Sequence, residues 1–137
     1  MRAWLLAAEA EAASFAGDST ATTAAMDAAA DELAAVGGDG LPFVFLDEVH
    51  LARWRGNCLA RLGDAEAIDW LARALNDLDS SFTRARAALH CDLAIAYLVR
   101  EELDAVDEHA RQAGELADVT MSVRQRQRVD RLLRRSA

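Results

Sequence analysis

Histidine and cysteine side chains are the groups in this sequence whose chemistry most readily serves metal binding or catalysis. His90 and Cys91 are neighbours on a predicted helix, so their side chains point about 100° apart and do not readily share one metal ion. We find no histidine pair four residues apart with a glutamate, no glycine-rich phosphate loop after a strand, and no serine or cysteine in a nucleophile motif. We therefore predict no metal, no cofactor, no catalytic residue and no enzymatic activity.

A stripe of polar side chains is better suited to binding. Arg53, Asn57 and Arg61 recur every four residues along a predicted helix, and His50 extends the stripe at its start. A guanidinium group can hold a carboxylate through two parallel hydrogen bonds, and an amide can donate to a peptide carbonyl. The pattern predicts either a peptide-binding stripe or one that is solvated or paired within the chain.

Alanine decides the expected class of fold. The sequence has 31 Ala and a single Pro among 137 residues. Ala is the strongest helix former because it loses no side-chain freedom, and its small side chain lets helices approach closely. We predict an all-α fold in one domain, residues 1–137.

An internal repeat organises these helices. When the sequence is slid by 38 residues, small or apolar residues align at most positions, for example Gly56 with Ala94 and Ala67 with Ala105. Each unit has two helical apolar stripes around an acidic turn, at Gly63-Asp64 in the first unit and at the aligned Glu101-Glu102 in the second. His109 takes the position that Leu71 has in the preceding unit, so we predict that it is a packed, hydrogen-bonded core residue.

The repeat predicts two helical hairpins, at about residues 47–78 and 81–118. An earlier, more divergent hairpin is predicted at about 2–36, with its turn at Gly17-Asp18, and a capping helix at about 121–135. Residues 37–42 form a predicted loop. The aromatic run at 43–46 is expected to pack over the joint between hairpins, with an exposed partner-binding patch as the alternative.

Charge is distributed unevenly along the chain. The net charge of −8 divides into −8 for residues 1–50, −5 for 51–118 and +5 for 119–137. An acidic body repels phosphate backbones, so we expect no direct nucleic-acid binding. The basic final helix, with Arg124, Arg128, Arg131 and Arg135 on one face, is expected to pair with the preceding helix or with the acidic start of a second copy.

The sequence also bears on location. No apolar run approaches the roughly 20 residues of a membrane span, and Glu9 and Glu11 interrupt the only apolar stretch near the start. We expect a cytoplasmic protein that does not bind membranes and keeps Cys58 and Cys91 reduced, with one disulfide as the alternative.

The hairpins resemble tetratricopeptide repeats (TPRs). Gly56 and Ala94 resemble the small residue midway along the first helix of a repeat, and 67–68 and 105–106 resemble the Ala-aliphatic pair that opens the second. The resemblance implies an all-α, TPR-like superhelix of about three antiparallel hairpins and a capping helix, about seven helices in all. Two units lack the usual closing proline.

A narrower resemblance is to the C-terminal, TPR-like domains of actinobacterial helix-turn-helix transcriptional regulators. It is carried by residues 51–64, 81–87, 92–94 and 120–126, and the absence of Lys among fifteen basic residues is typical of a high-GC genome. The resemblance implies a protein- or peptide-interaction module that senses a signal or dimerises in such a regulator. No DNA-binding head is recognised, so we expect an excised domain or a stand-alone relative.

In tetratricopeptide repeats the first helices line the concave surface, which suggests where a partner binds. An arginine followed four residues later by Asn57 resembles half of a carboxylate clamp, whereas the equivalent stripe of the next unit is apolar. We therefore predict a half-polar, half-apolar groove for a peptide or helix, with a true clamp as the alternative. Its predicted residues are His50, Arg53, Asn57, Arg61, Cys91 and Ile95.

The expected partner is a protein or peptide, and a homodimer is left open. Two other functions remain open at this point. The groove could close around a small-molecule or peptide signal, as in a receptor domain. The chain could alternatively be a purely structural oligomerisation domain.

Overall fold

The computed structural model describes residues 2–36 and 47–136 of the chain. Within these ranges it forms seven α-helices and no strand, which confirms the predicted all-α class and helix number. No helix in the described ranges is both long and apolar enough to cross a membrane. The predicted loop at 37–42 and the aromatic run at 43–46 lie outside the described residues. The helices are α1 (Arg2–Phe15), α2 (Ser19–Val36), α3 (Glu48–Arg61), α4 (Glu66–Asp77), α5 (Thr83–Val99), α6 (Leu103–Thr120) and α7 (Val123–Ser136).

The chain divides into two compact units, Met1–Trp70 and Leu71–Ala137. The first unit contains α1, α2, α3 and the beginning of α4, and the second contains the rest of α4 with α5, α6 and α7. In the first unit α1 packs against α2 and α3; in the second, α5 packs against α6, and α7 packs against both.

Short side chains bring the helices of the first unit together. Ala3, Ala7 and Ala10 recur on one face of α1 and are buried in a core that also contains Met26 of α2 and Cys58 of α3. Because alanine adds only a methyl group, the facing helix backbones can approach closely. The alanine excess of the sequence is therefore used for helix packing as well as for helix formation.

The second unit has a core of its own between α5, α6 and α7. Its buried residues are Cys91, Ala94, Val106, Ala110, Ala113, Val129 and Leu132. A Cβ at Gly114 of α6 would lie 3.4 Å from the Val129 side chain, an ordinary van der Waals contact, so α7 packs directly against this part of α6. This packing fixes α7 on α5 and α6.

The same backbone turn ends four of the helices. Gly17, Gly63, Glu101 and Met121 follow α1, α3, α5 and α6, and each has a left-handed backbone with φ between 56° and 75°. In every case the next residue donates its N–H to a carbonyl five residues back, at 2.9–3.1 Å, as in a Schellman motif. Glycine adopts this conformation freely, whereas Glu101 and Met121 adopt it at a cost.

Candidate functional site

The polar half of the predicted groove lies on α3. His50 is exposed at the first turn, where Asp47 caps the helix: one Asp47 oxygen accepts from the His50 backbone N–H at 2.8 Å and lies 2.7 Å from His50 Nδ1. Arg53 and Asn57 are half-buried on the following turns. Thus the structure places these side chains in order along one helix, with His50 already engaged by the cap.

Arg61, at the end of α3, is held by the end of α1. Its Nη1 donates to Ser14 Oγ at 2.7 Å, and its guanidinium carbon lies 3.8 Å from the centroid of the exposed Phe15 ring. An arginine over an aromatic face gains a cation–π attraction. Arg61 is therefore engaged within the chain. Pairing within the chain is the alternative to peptide binding for the polar stripe on α3.

The apolar half of the predicted groove belongs to the second unit. Cys91 has no exposed surface and lies in the core between α5, α6 and α7. Ile95, one turn later on α5, is 39% exposed. The six predicted residues are thus divided between two units, and their joining in one groove stays a prediction.

Ile95 instead lines a cleft formed by α5 and α7, which we call the arginine cleft. Its volume is about 650 Å³, and it is lined by Ile95, Leu132, Arg128, Arg131, Arg134 and Arg135. The helical period explains the arrangement, because 128, 131 and 135 recur on one face of α7 and Leu132 lies beside them, facing the core. The cleft combines apolar contacts from Ile95 and Leu132 with four guanidinium groups.

Arg128 is the fixed member of the arginine cleft. Its Nη2 donates to Asp92 of α5 at 2.7 Å, and its Nη1 donates to Gln125 at 3.1 Å. The Asp92 side chain is only 5% exposed, so Arg128 brings an opposite charge to a buried carboxylate. The pair ties α7 to α5 and sets the position of the cleft wall.

The other three arginines of the cleft are exposed to solvent. Within the described residues, no ion pair or hydrogen bond engages the side chains of Arg131, Arg134 or Arg135. Arg126, on another face of α7, pairs with Asp118 at 3.1 Å, as expected for a basic helix beside an acidic one. The unengaged arginines therefore leave a local positive potential on an otherwise acidic chain.

A histidine pair lies between α5 and α6. His90 Nδ1 is 3.0 Å from His109 Nδ1, and the His109 ring stacks on Tyr97 with centroids 5.4 Å apart, so His109 is packed and hydrogen-bonded as predicted. Burial, His109 and Arg86 lower the pKa of His90 to about 4, against an opposing effect of Glu108. Burial likewise lowers the pKa of His109.

The histidine pair contributes to the packing of α5 against α6. A hydrogen bond between the two Nδ1 atoms requires that one carries a proton and the other accepts it. Within the described residues no group of three or more His, Cys, Asp or Glu side chains is arranged to hold a metal ion. Cys58 and Cys91 form no disulfide, and each is buried in the core of its own unit.

The basic helix α7 is predictable from the sequence, whereas the arginine cleft is not. Ile95 lies 33 to 40 positions before the other residues of the cleft, and helical periodicity relates residues within one helix only. One signal was present: the basic face of the last helix has more arginines than the acids of its own segment can pair.

Comparison with known proteins does not assign the chain to a family, since no protein-family model, curated protein or solved structure matches it.

Proposed function

We propose that the chain is a non-enzymatic protein-interaction module that binds an acidic, partly apolar segment of a partner protein in the arginine cleft. The observation that carries this proposal is the row of exposed arginines beside Ile95, which no described residue engages, on a chain of net charge −8. Arginine is the side chain best suited to hold carboxylates, because its planar group offers two parallel donors.

The fixed Arg128–Asp92 pair supports this proposal. Because Asp92 holds Arg128 in place, one wall of the cleft is positioned before a partner arrives, and less conformational entropy is lost on binding. Ile95 offers apolar area next to the charges, which suits a segment with alternating apolar and acidic residues, such as one face of a helix.

From the resemblance to regulator domains we further propose that this binding belongs to the sensing or dimerisation part of a bacterial transcriptional regulator. Direct DNA binding is not part of the proposal, because the acidic body repels phosphate. We also propose a cytoplasmic location, which two buried cysteines that form no disulfide support.

A second candidate is a receptor for an anionic small molecule or short peptide signal. The volume of the cleft, about 650 Å³, favours it, because ligand sites commonly range from roughly 300 to 1,000 Å³. A carboxylate or phosphate ligand would use the same arginines. A rise in melting temperature with such a compound, and none with an acidic peptide, would favour the receptor.

The direct test is fluorescence anisotropy with a labelled helical peptide that carries leucine and glutamate four residues apart. We expect binding that weakens with added salt, and no binding of a matched peptide with lysine in place of glutamate. Arg131→Glu and Arg135→Glu should each weaken binding about tenfold, which corresponds to roughly 1.4 kcal/mol.

The matched control is Arg124→Glu, which makes the same charge change on α7 outside the cleft. If Arg124→Glu weakens binding as much as Arg131→Glu does, attraction by the whole helix explains the result and the cleft does not. Equal binding of the glutamate and lysine peptides would contradict the proposal.

A further inference from the structure

We infer that the acidic segment bound by the arginine cleft is the outer face of α1 in a second copy of this chain. This inference rests on the proposed function and adds the identity of the partner. The two surfaces lie on different units, so a contact between copies joins the first unit of one copy to the second unit of another.

The outer face of α1 has the required chemistry. Leu5, Glu9 and Ala12 recur on this face and are exposed, with Leu5 56% exposed. The opposite face holds Ala7 and Ala10 in the core, so packing of the first unit fixes the outer face toward solvent. Glu9 has no hydrogen-bond or ion-pair partner among the described residues.

The spacing on α1 suits the arginine cleft. Leu5 and Glu9 lie about 6 Å apart along the helix, so an apolar and an acidic side chain stand about one turn apart on the same face. Leu5 would contact Ile95 of the cleft, and Glu9 would accept hydrogen bonds from Arg131 or Arg135. The short side chain of Ala12 leaves room for the long arginine side chains to lie along α1.

The charges of the two surfaces are complementary beyond these residues. The described part of the first unit carries eleven acidic residues and four arginines, whereas α7 carries six arginines and one aspartate. Opposite potentials speed the encounter of two copies and disfavour like-charged orientations, such as cleft against cleft. Salt screens this attraction, so association should weaken as ionic strength rises.

The test is the mass of the full chain by analytical ultracentrifugation over a range of concentrations. At about 50 mM NaCl we expect a mass that exceeds the 14.9 kDa of one chain and rises with concentration. At about 500 mM NaCl we expect the mass of a single chain. Glu9→Arg and Arg131→Glu should each weaken association at least tenfold. An equimolar mixture of these two variants should associate again, because the intact cleft of one meets the intact α1 of the other.

Controls keep the result specific. Asp31→Arg on α2 and Arg124→Glu on α7 make the same two changes of charge at positions outside the two surfaces. Both should leave association unchanged. Circular dichroism at 222 nm checks that each variant is folded; the substituted side chains are exposed, so folding should be retained. Association that survives both Glu9→Arg and Arg131→Glu, or a mixture that stays monomeric, would overturn the inference.

Peptide binding by the Glu9→Arg variant separates this inference from the proposed function. That variant keeps the arginine cleft intact. If the wild-type chain is monomeric at every salt concentration while Glu9→Arg binds the acidic peptide, only the identity of the partner is wrong. If the chain neither associates nor binds the peptide, both are wrong.

Discussion

The buried histidine pair predicts that the protein loses stability in mild acid. His90 is 4% exposed, and its Nδ1 lies 3.0 Å from that of His109, so a charged His90 would be poorly solvated and beside a second basic ring. Its pKa is lowered from 6.5 to about 4 in the folded chain. The unfolded chain therefore binds a proton at a higher pH than the folded chain does.

The direction and size of the stability change follow from the difference between the folded and unfolded pKa values of His90. Because the pKa of His90 is lower in the folded chain, neutral His90 contributes to the free energy of unfolding. This contribution is fully present above about pH 6.5 and is lost as the pH falls toward 4. Each pH unit in this window removes about 1.4 kcal/mol, so the free energy of unfolding should fall by roughly 2 kcal/mol at pH 5 and about 3 kcal/mol at pH 4. The lowered pKa of His109 acts in the same direction.

Urea unfolding followed by circular dichroism at pH 7.5 and pH 5 measures this loss. His90→Gln keeps a polar partner for His109 but does not titrate, so it should lose about 2 kcal/mol less than wild type between the two pH values. The reasoning is refuted if wild type and His90→Gln show the same pH dependence.

Two further predictions concern packing and turns. Asp92→Ala leaves Arg128 without its buried partner and should lower the free energy of unfolding by roughly 2–3 kcal/mol. Asp118→Ala breaks an exposed pair and should lower it by less than about 1 kcal/mol. Urea unfolding measures both. An equal cost for the two would contradict the role of the buried pair. Gly63→Ala should lower stability by about 1 kcal/mol and Glu101→Gly should not lower it, because both positions are left-handed; a lower melting temperature for Glu101→Gly would contradict this.

The helices were predictable because the sequence marks them locally. Alanine content and apolar periodicity indicate the helices, and the Gly17-Asp18 and Gly63-Asp64 pairs indicate turns that the structure builds with a left-handed glycine. Matching Gly63 with Glu101 in the repeat also indicated a turn at Glu101, where the residue type alone does not require one. Met121 carries no such mark, because methionine rarely adopts this conformation.

The candidate site was less predictable because it depends on contacts between distant helices. Helix α5 buries every residue from Ala87 to Ala94, so its apolar pattern runs all round the helix and does not show which face meets solvent. For this reason Cys91 and Ile95 look equivalent in the sequence, yet one is in the core and the other lines the arginine cleft. The Arg128–Asp92 pair spans 36 positions, beyond the reach of any helical spacing.

The central claim, that an acidic segment binds in the arginine cleft, is tested most directly by NMR. In a titration of the ¹⁵N-labelled Glu9→Arg variant with the leucine–glutamate peptide, the account predicts that the largest shifts occur at Ile95 and at the Nε–Hε groups of Arg131 and Arg135. Shifts confined to Arg53, Asn57 and Arg61 would contradict it and favour the stripe on α3.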